Sequence, residues 1–203
     1  NNDNLIFSNK EDMKFFKNTT LTTIDNNKMN AVIMGRKTFL KLKKILKGRI
    51  NCVLTHSDTF LYNNTMSGRS DDLYICNSVD KLLQKLNDDP LVETIYVIGG
   101  GTIYKYFSDN NLFDKLILSI VKTPVIDYGD VFFPEINFTK YYIEDKIEIS
   151  TKGKEITTGN KCDINYNIYY MSRKTKHKVS EIADILDSNI QEYQYLNLLE
   201  KIL

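Results

Sequence analysis

Short runs of β-branched and aromatic residues alternate along this chain with stretches of helical periodicity. That alternation restricts the fold more than any other feature. Residues 30–34 (NAVIM), 49–55 (RINCVLT), 94–98 (TIYVI) and 115–121 (KLILSIV) read as buried strands. Between them, residues 11–18 bring Met13, Phe15 and Phe16 together. Residues 78–87 read as a helix capped by Ser78, with Val79, Leu82, Leu83 and Leu86 on one stripe. Strands that alternate with helices predict an α/β domain with a largely parallel sheet. Two later strand candidates, 141–149 and 164–171, flank the polar segment KGKEITTGNK and predict an antiparallel hairpin closing one edge of the sheet. Residues 58–72 (DTFLYNNTMSGRSDD) are turn-rich and read as a surface loop.

The 203 residues suit one domain with an appendage, and 42% apolar content is enough for a core. No apolar run approaches a membrane span. A net charge of +1, from 27 basic and 26 acidic residues, leaves no electrostatic footprint for nucleic acid or an acidic lipid surface. Cys52, Cys76 and Cys162 are odd in number and far apart, which predicts free thiols in a reducing, cytoplasmic setting. His56 and His177 have no Cys or carboxylate at metal-ligand spacing, so no metal site is expected. No signal peptide is visible at Asn1. After Met171 the character changes: SRKTKHK is a charged linker, and SEIADILDSNIQEYQYLNLLEKIL carries apolar residues at helical spacing. A domain over 1–173 and a separate linker and helical segment over 174–203 follow, the latter expected to pack on the domain or on a partner.

Two strand-to-helix junctions carry anion-binding chemistry. In YVIGGGTIYKYF three consecutive glycines follow a strand and open a helix, where unsatisfied N–H groups and the helix dipole favour an anion. Glycines let a phosphate approach the backbone without a Cβ in the way; a close strand–helix crossing without ligand is the plainer alternative. The spacing is neither G-x-G-x-x-G nor a P-loop. In NAVIMGRKTF the helix opens with Arg36, Lys37 and Thr38, and cations are normally disfavoured at that end. An anion would explain them, with Arg36 offering a bidentate fork, although a solvated basic face would too. Two such turns beyond the carboxyl ends of parallel strands suit an elongated ligand with separated phosphates, and NADPH fits. Near the start, LIFSNKEDMKFFKNTT puts Asp12 on the first turn of a helix. It either complements the helix dipole or is a buried acid that holds a polar heterocycle and helps to deliver a proton.

Together these segments resemble the dihydrofolate reductase family. LIFSNKEDMKFFKNTT, VIMGRKTF, LKGRINCVLT, YVIGGGTIY, LILSIV and GDVFFPEI occur in the family's order over about 160 residues. The resemblance implies a mixed, mostly parallel, eight-stranded central sheet flanked by helices, here with a C-terminal helical extension. It implies NADPH-dependent reduction of 7,8-dihydrofolate to tetrahydrofolate, within one-carbon metabolism. Asp12 takes the place of the catalytic acid and Ser119 that of its hydrogen-bond partner. Met13, Phe16, Leu42, Leu46 and Ile98 would line the pterin and benzoyl pocket, and Arg49 would pair with the substrate's glutamate α-carboxylate. Gly35, Arg36, Lys37, Thr38, Leu54, Thr55 and His56 would hold the adenosine phosphate and diphosphate. Gly99, Gly100, Gly101, Thr102, Ile103 and Tyr104 would cradle the diphosphate and nicotinamide side, across a cis Gly-Gly bond.

EYQYLNLLEKIL resembles the opening helix of thymidylate synthase as it follows the reductase in fused enzymes. That implies a synthase domain on the same full-length chain, and hence a homodimer. The synthase's Pro-Cys nucleophile is absent, so no synthase activity is expected of these residues. The family's L-P-W reads Leu5-Ile6-Phe7, and His56 replaces a residue that would contact a 2′-phosphate more firmly at neutral pH. The family's first strand, which would lie beside 94–98, is not in the chain and is expected to precede it in the natural protein. An alternative reading is a degenerate, non-catalytic reductase-like module that binds a partner. Another reductase on the same fold, of the pteridine or deaminoriboflavin type, is disfavoured by Arg49.

Overall fold

The computed structural model describes residues 7–42, 44–57, 72–122, 131–155, 159 and 161–174. The expected tail from residue 175 and nearly all of the turn-rich loop (58–71) lie outside the described residues. The described residues form two compact units, one within residues 11–106 and the other within residues 7–10 and 107–174.

In the first unit α1 (Lys10–Leu21) leads to β2 (Met29–Gly35), α2 (Arg36–Leu42), β3 (Arg49–Leu54) and β4 (Leu73–Cys76). Then come α3 (Val79–Asp88), β5 (Val92–Val97) and α4 (Gly101–Asp109). The strands pair in the order β4-β3-β2-β5, all parallel. β2 and β3 are inner strands, and their uninterrupted apolar sequences suit burial on both faces. Ala31, Val32, Ile33, Met34, Cys52 and Val53 have no exposed surface. Ser78 caps α3 as its sequence predicts, its Oγ accepting from Lys81 N at 3.3 Å, and the helix buries Leu82 and Leu86.

Strand β4 was not among the expected strands. Its four residues are only half-buried and follow a turn-rich stretch, so pairing with β3 decides its structure more than local propensity does.

Asn30, polar but wholly buried in β2, ties this unit together. Its Nδ2 donates to the carbonyls of Thr20 (3.2 Å) and Thr22 (2.8 Å), and its Oδ1 accepts from Thr94 N (3.2 Å). The carboxamide thus satisfies carbonyls at the end of α1 that the helix cannot. Asn30→Ala is expected to lower unfolding stability by about 2–3 kcal/mol in urea titration, because these groups lose their partner inside the protein.

The second unit holds β1 (Phe7–Ser8), β6 (Lys115–Val121), a 3-10 turn (Phe138–Lys140), β7 (Tyr141–Glu155) and β8 (Lys161–Arg173). These strands pair antiparallel in the order β1-β7-β8-β6. Leu116, Ile136, Phe138, Tyr141, Tyr169 and Met171 form its core. The expected hairpin is present but longer, its strands running into the polar segment between them. Among the described residues it pairs with β1 and β6 rather than with an edge of the parallel sheet. β6 pairs with β8 along its whole length, from Lys115 opposite Ser172 to Val121 opposite Tyr166. The α/β architecture with helix-flanked parallel strands is as expected. Its eight described strands, however, divide into one all-parallel and one all-antiparallel sheet, because no described strand pairs with the outer edges of β5 and β6.

Candidate functional site

The parallel sheet sets its strand-to-helix turns side by side. With the order β3-β2-β5, the carboxyl ends deliver Thr55 and His56, then Gly35 to Thr38, then Ile98 to Tyr104. Ligands of open α/β sheets collect at such an edge. The two glycine-bearing turns are bonded to each other: Gly35 N donates to Gly99 O at 2.8 Å, and Ile98 N to Ile33 O at 2.8 Å. The Gly99–Gly100 peptide is cis, as the family resemblance implies.

Space is tight around these glycines, and at Gly99 conformation adds to it. A Cβ on Gly100 would lie 3.3 Å from Thr38 Oγ1, and one on Gly35 would lie 3.2 Å from Ile103 Cγ1. Gly99 has φ +100°, and a Cβ there would meet the Tyr104 ring at 2.8 Å. Ile103 N and Tyr104 N turn back to Gly100 O at 2.9 and 3.0 Å, closing the first turn of α4. Burial pushes the Tyr104 phenol up to about 12.

Arg36 and Thr38 on α2 are half-buried and Lys37 is exposed. Leu54 and Thr55 are buried, and His56 is exposed. Thr55 is held by its N–H to Cys76 O (2.9 Å), while its Oγ1 accepts from Ser57 N (3.1 Å). β4 therefore shapes this turn. Gly101 and Ile103 are half-buried and Thr102 is exposed.

A second group of residues lies on α1 and β3. Asp12, Phe16 and Thr20 are four apart and share one face of the helix. Asp12 and Phe16 are half-buried and Thr20 is buried, while Lys14 and Lys17 are exposed. Met13, expected to line a pocket, is 51% exposed. Leu42, Leu46 and Ile98, expected to line the same pocket, each pack on the buried cluster of Val32, Met34, Phe39 and Val53.

Arg49, at the start of β3, is only 5% exposed. Its Nη1 donates to Thr20 Oγ1 at 2.7 Å and its Nη2 to Lys47 O at 3.5 Å, both neutral acceptors. Its Nε is buried without a hydrogen-bond partner among the described residues. Burial pulls this guanidinium below the ordinary arginine value. Ser119 belongs to the other unit, on β6 opposite Ile168, and is exposed.

Three residues of this region carry no signal in the motif reading: Thr20, Asn30 and Asn51. Asn51 holds the turn before β3, its Oδ1 accepting from Leu46 N (2.8 Å) and its Nδ2 donating to Leu46 O (3.1 Å) and Arg49 O (2.8 Å). The available clue was an asparagine inside each of two otherwise apolar strands, NAVIM and RINCVLT. Buried amides in such places are usually hydrogen-bonded.

Among the described residues no group of three or more His, Cys, Asp and Glu could hold a metal ion. No described helix is long and apolar enough to cross a membrane. All three cysteines are free.

The sequence model of the family described as dihydrofolate reductase matches residues 1–170. A bifunctional dihydrofolate reductase-thymidylate synthase 2 of Arabidopsis thaliana is 30% identical over 210 residues, covering 95% of this chain and 36% of its own length. A bifunctional dihydrofolate reductase-thymidylate synthase of Zea mays is 28% identical over 214 residues, covering 95% of this chain and 40% of its own. A dihydrofolate reductase of Aedes albopictus is 27% identical over 166 residues, covering 79% of this chain and 83% of its own. The chain thus spans less than half the length of either bifunctional relative. The family match takes in the acid of α1, Arg49 and both glycine-bearing turns in one ordered stretch, and the chain belongs to the dihydrofolate reductase family.

Proposed function

We propose that this chain reduces 7,8-dihydrofolate to tetrahydrofolate with NADPH, as the reductase part of a longer protein that also carries a thymidylate synthase domain and dimerises through it. Residues 174–203 are then the linker and the opening helix of that second domain. The observation that carries the substrate reading is Arg49. A buried guanidinium whose Nε lacks a partner among the described residues and whose other partners are neutral is costly unless an anion offsets its charge. Asp12 and Thr20, the contact of Arg49, are eight residues apart on α1, about 12 Å along its axis. A ligand with a polar heterocycle at one end and a carboxylate at the other matches that stripe.

The residues at the carboxyl edge fit a dinucleotide. Gly35, Gly99 and Gly100 keep Cβ atoms out of a crowded surface. The first N–H groups of α4, at Gly101 and Thr102, have no carbonyl within the helix to take them. Arg36, Lys37 and Thr38 add charge and a hydroxyl for phosphate oxygens, with Thr55 and His56 on the neighbouring turn. NADPH, when bound, supplies the hydride that goes to C6 of the substrate. Asp12 holds the heterocycle by its amino group and ring nitrogen, and promotes protonation at N5 through water. Phe16, Leu42, Leu46 and Ile98 pack on the apolar part of the substrate and exclude water, and Met13 covers its outer side.

The direct test follows NADPH absorbance on addition of dihydrofolate to the full-length protein. Consumption that needs both compounds is expected, and a folded protein that binds neither would overturn the reading. Arg49→Lys is expected to weaken folate binding in calorimetry by about 10- to 100-fold, since an ammonium cannot make the paired contact. Binding of pteroate, which lacks the glutamate, should be little changed.

A further inference from the structure

We infer that Asn51 is a positioning residue for the substrate: its buried carboxamide takes both backbone groups of Leu46 and so fixes the apolar wall on which the substrate packs. The inference rests on the reading of Leu46 as pocket wall given above. Leu46 lies in the connection between α2 and β3, where residues 44–48 form neither helix nor strand. Asn51 takes the place of regular structure for its N–H and C=O. Oδ1 accepts from Leu46 N at 2.8 Å, and Nδ2 donates to Leu46 O at 3.1 Å. The other Nδ2 proton goes to Arg49 O at 2.8 Å. These partners fix the orientation of the amide, since Leu46 N needs an acceptor and the two carbonyls need donors. Ionised aspartate has no proton for either carbonyl, and serine has only one.

Asn51 is itself firmly held. It sits in β3 between Val32 of β2 and Leu73 of β4, and Asp72 O accepts from its N–H at 2.7 Å. Strand alternation puts its side chain on the sheet face of Val53, one of the buried residues on which Leu46 packs. Asn51 has no exposed surface, whereas Leu46 is half-buried and keeps part of its surface open. Asn51 therefore acts on a ligand only through Leu46. The end of α1 limits the same connection at Gly48, where φ is +72° and a Cβ would lie 2.8 Å from Leu21 Cδ1. Held at Leu46 and crowded at Gly48, the wall has little room to retreat from a substrate.

The test measures folate and NADPH binding by calorimetry in the full-length wild-type protein, Asn51→Ser, Leu46→Ala and the double variant. Asn51→Ser is expected to weaken folate binding about tenfold. NADPH binding should stay at the wild-type value, because the cofactor turn at Thr55 lies at the opposite end of β3. In turnover, KM for dihydrofolate should rise with little change in kcat. In the Leu46→Ala background, Asn51→Ser should cost less than about threefold, since residues that act through one contact are not additive.

Equal weakening of folate and NADPH by Asn51→Ser would make its role purely structural and overturn the inference. So would unchanged folate binding, or full additivity with Leu46→Ala. If Asn51→Ser does not fold, Asn51→Thr, which also keeps one hydroxyl and suits a strand, is read in the same way. Hydrogen exchange in the wild-type protein gives a check without any variant. Leu46 N–H is expected to exchange as slowly as the amides of β3, and exchange at the rate of an open loop would overturn the inference. A wild-type protein that binds NADPH but no folate would overturn the reading of the pocket, and the role of Asn51 with it. Folate binding lost in Leu46→Ala but kept in Asn51→Ser would overturn only the role of Asn51.

Discussion

Asp12→Asn is expected to lower kcat for dihydrofolate reduction by about 100-fold or more, the range that general acid–base groups contribute. Asparagine keeps the size of the side chain and its place on the first turn of α1, but it loses the charge and one of two equivalent acceptors. The change in stability should be small, about 0.5 kcal/mol, through the lost interaction with the helix dipole. That separation is what makes the variant informative. Glu11, beside it on the same turn, is exposed, and Glu11→Gln should alter stability by a similar small amount and leave turnover alone. Turnover of Asp12→Asn close to wild type, measured by NADPH absorbance, would reduce Asp12 to the same dipole role as Glu11.

Gly99→Ala is expected to be the most damaging single methyl group in the 11–106 unit, costing about 2–6 kcal/mol of stability through backbone strain and overpacking together. Its φ of +100° lies where side chains are strained. The added Cβ would lie 2.8 Å from Tyr104 Cε2, 3.1 Å from Cζ and 3.3 Å from the hydroxyl. The obstacle is a ring anchored on the first turn of α4, not the loose end of a flexible chain. Because Gly99 O also accepts from Gly35 N, a shift of Gly99 would pull on the other glycine-bearing turn. NADPH affinity should therefore fall together with the thermal midpoint. Gly100→Ala has ordinary φ and only the 3.3 Å approach to Thr38 Oγ1 to relieve, so its effect should be milder. Equal stability of Gly99→Ala and wild type in thermal denaturation would show that the Tyr104 ring moves aside.

Much of this site was legible before any coordinates. The glycine run and the basic start of α2 carry a local signal, because each places an unusual residue where a helix begins. Asp12 fits an ordinary helix start equally well, and Arg49 at the start of β3 was singled out only through the family resemblance. The apolar stripe made of Leu42, Leu46 and Ile98 was legible only through the family resemblance, since nothing local distinguishes a pocket wall from a core. Strand β4 was missed because four half-buried residues beside a turn-rich stretch have little periodicity. The unfilled place beside 94–98 was legible through the family resemblance, but the division of the described strands into two sheets was not. Pairing partners depend on which edges meet, not on the character of either strand.

The sequence by itself determined where the chain is extended, where it is helical and which junctions must leave backbone N–H groups open, because spacing and steric freedom act over a few residues. It also supplied the candidate residues for the proposed site: Asp12, Arg36, Arg49 and two glycine-bearing turns. Only the tertiary structure decided how these are held. Thr20 reaches Arg49 across 29 positions, Asn30 reaches Thr94 across 64, and Gly35 meets Gly99 on an adjacent strand. Such bonds form only when burial removes water as the competing partner and forces each polar group to find another. Whether a buried guanidinium keeps a vacant edge depends on all of its neighbours at once, and no stretch of sequence contains them.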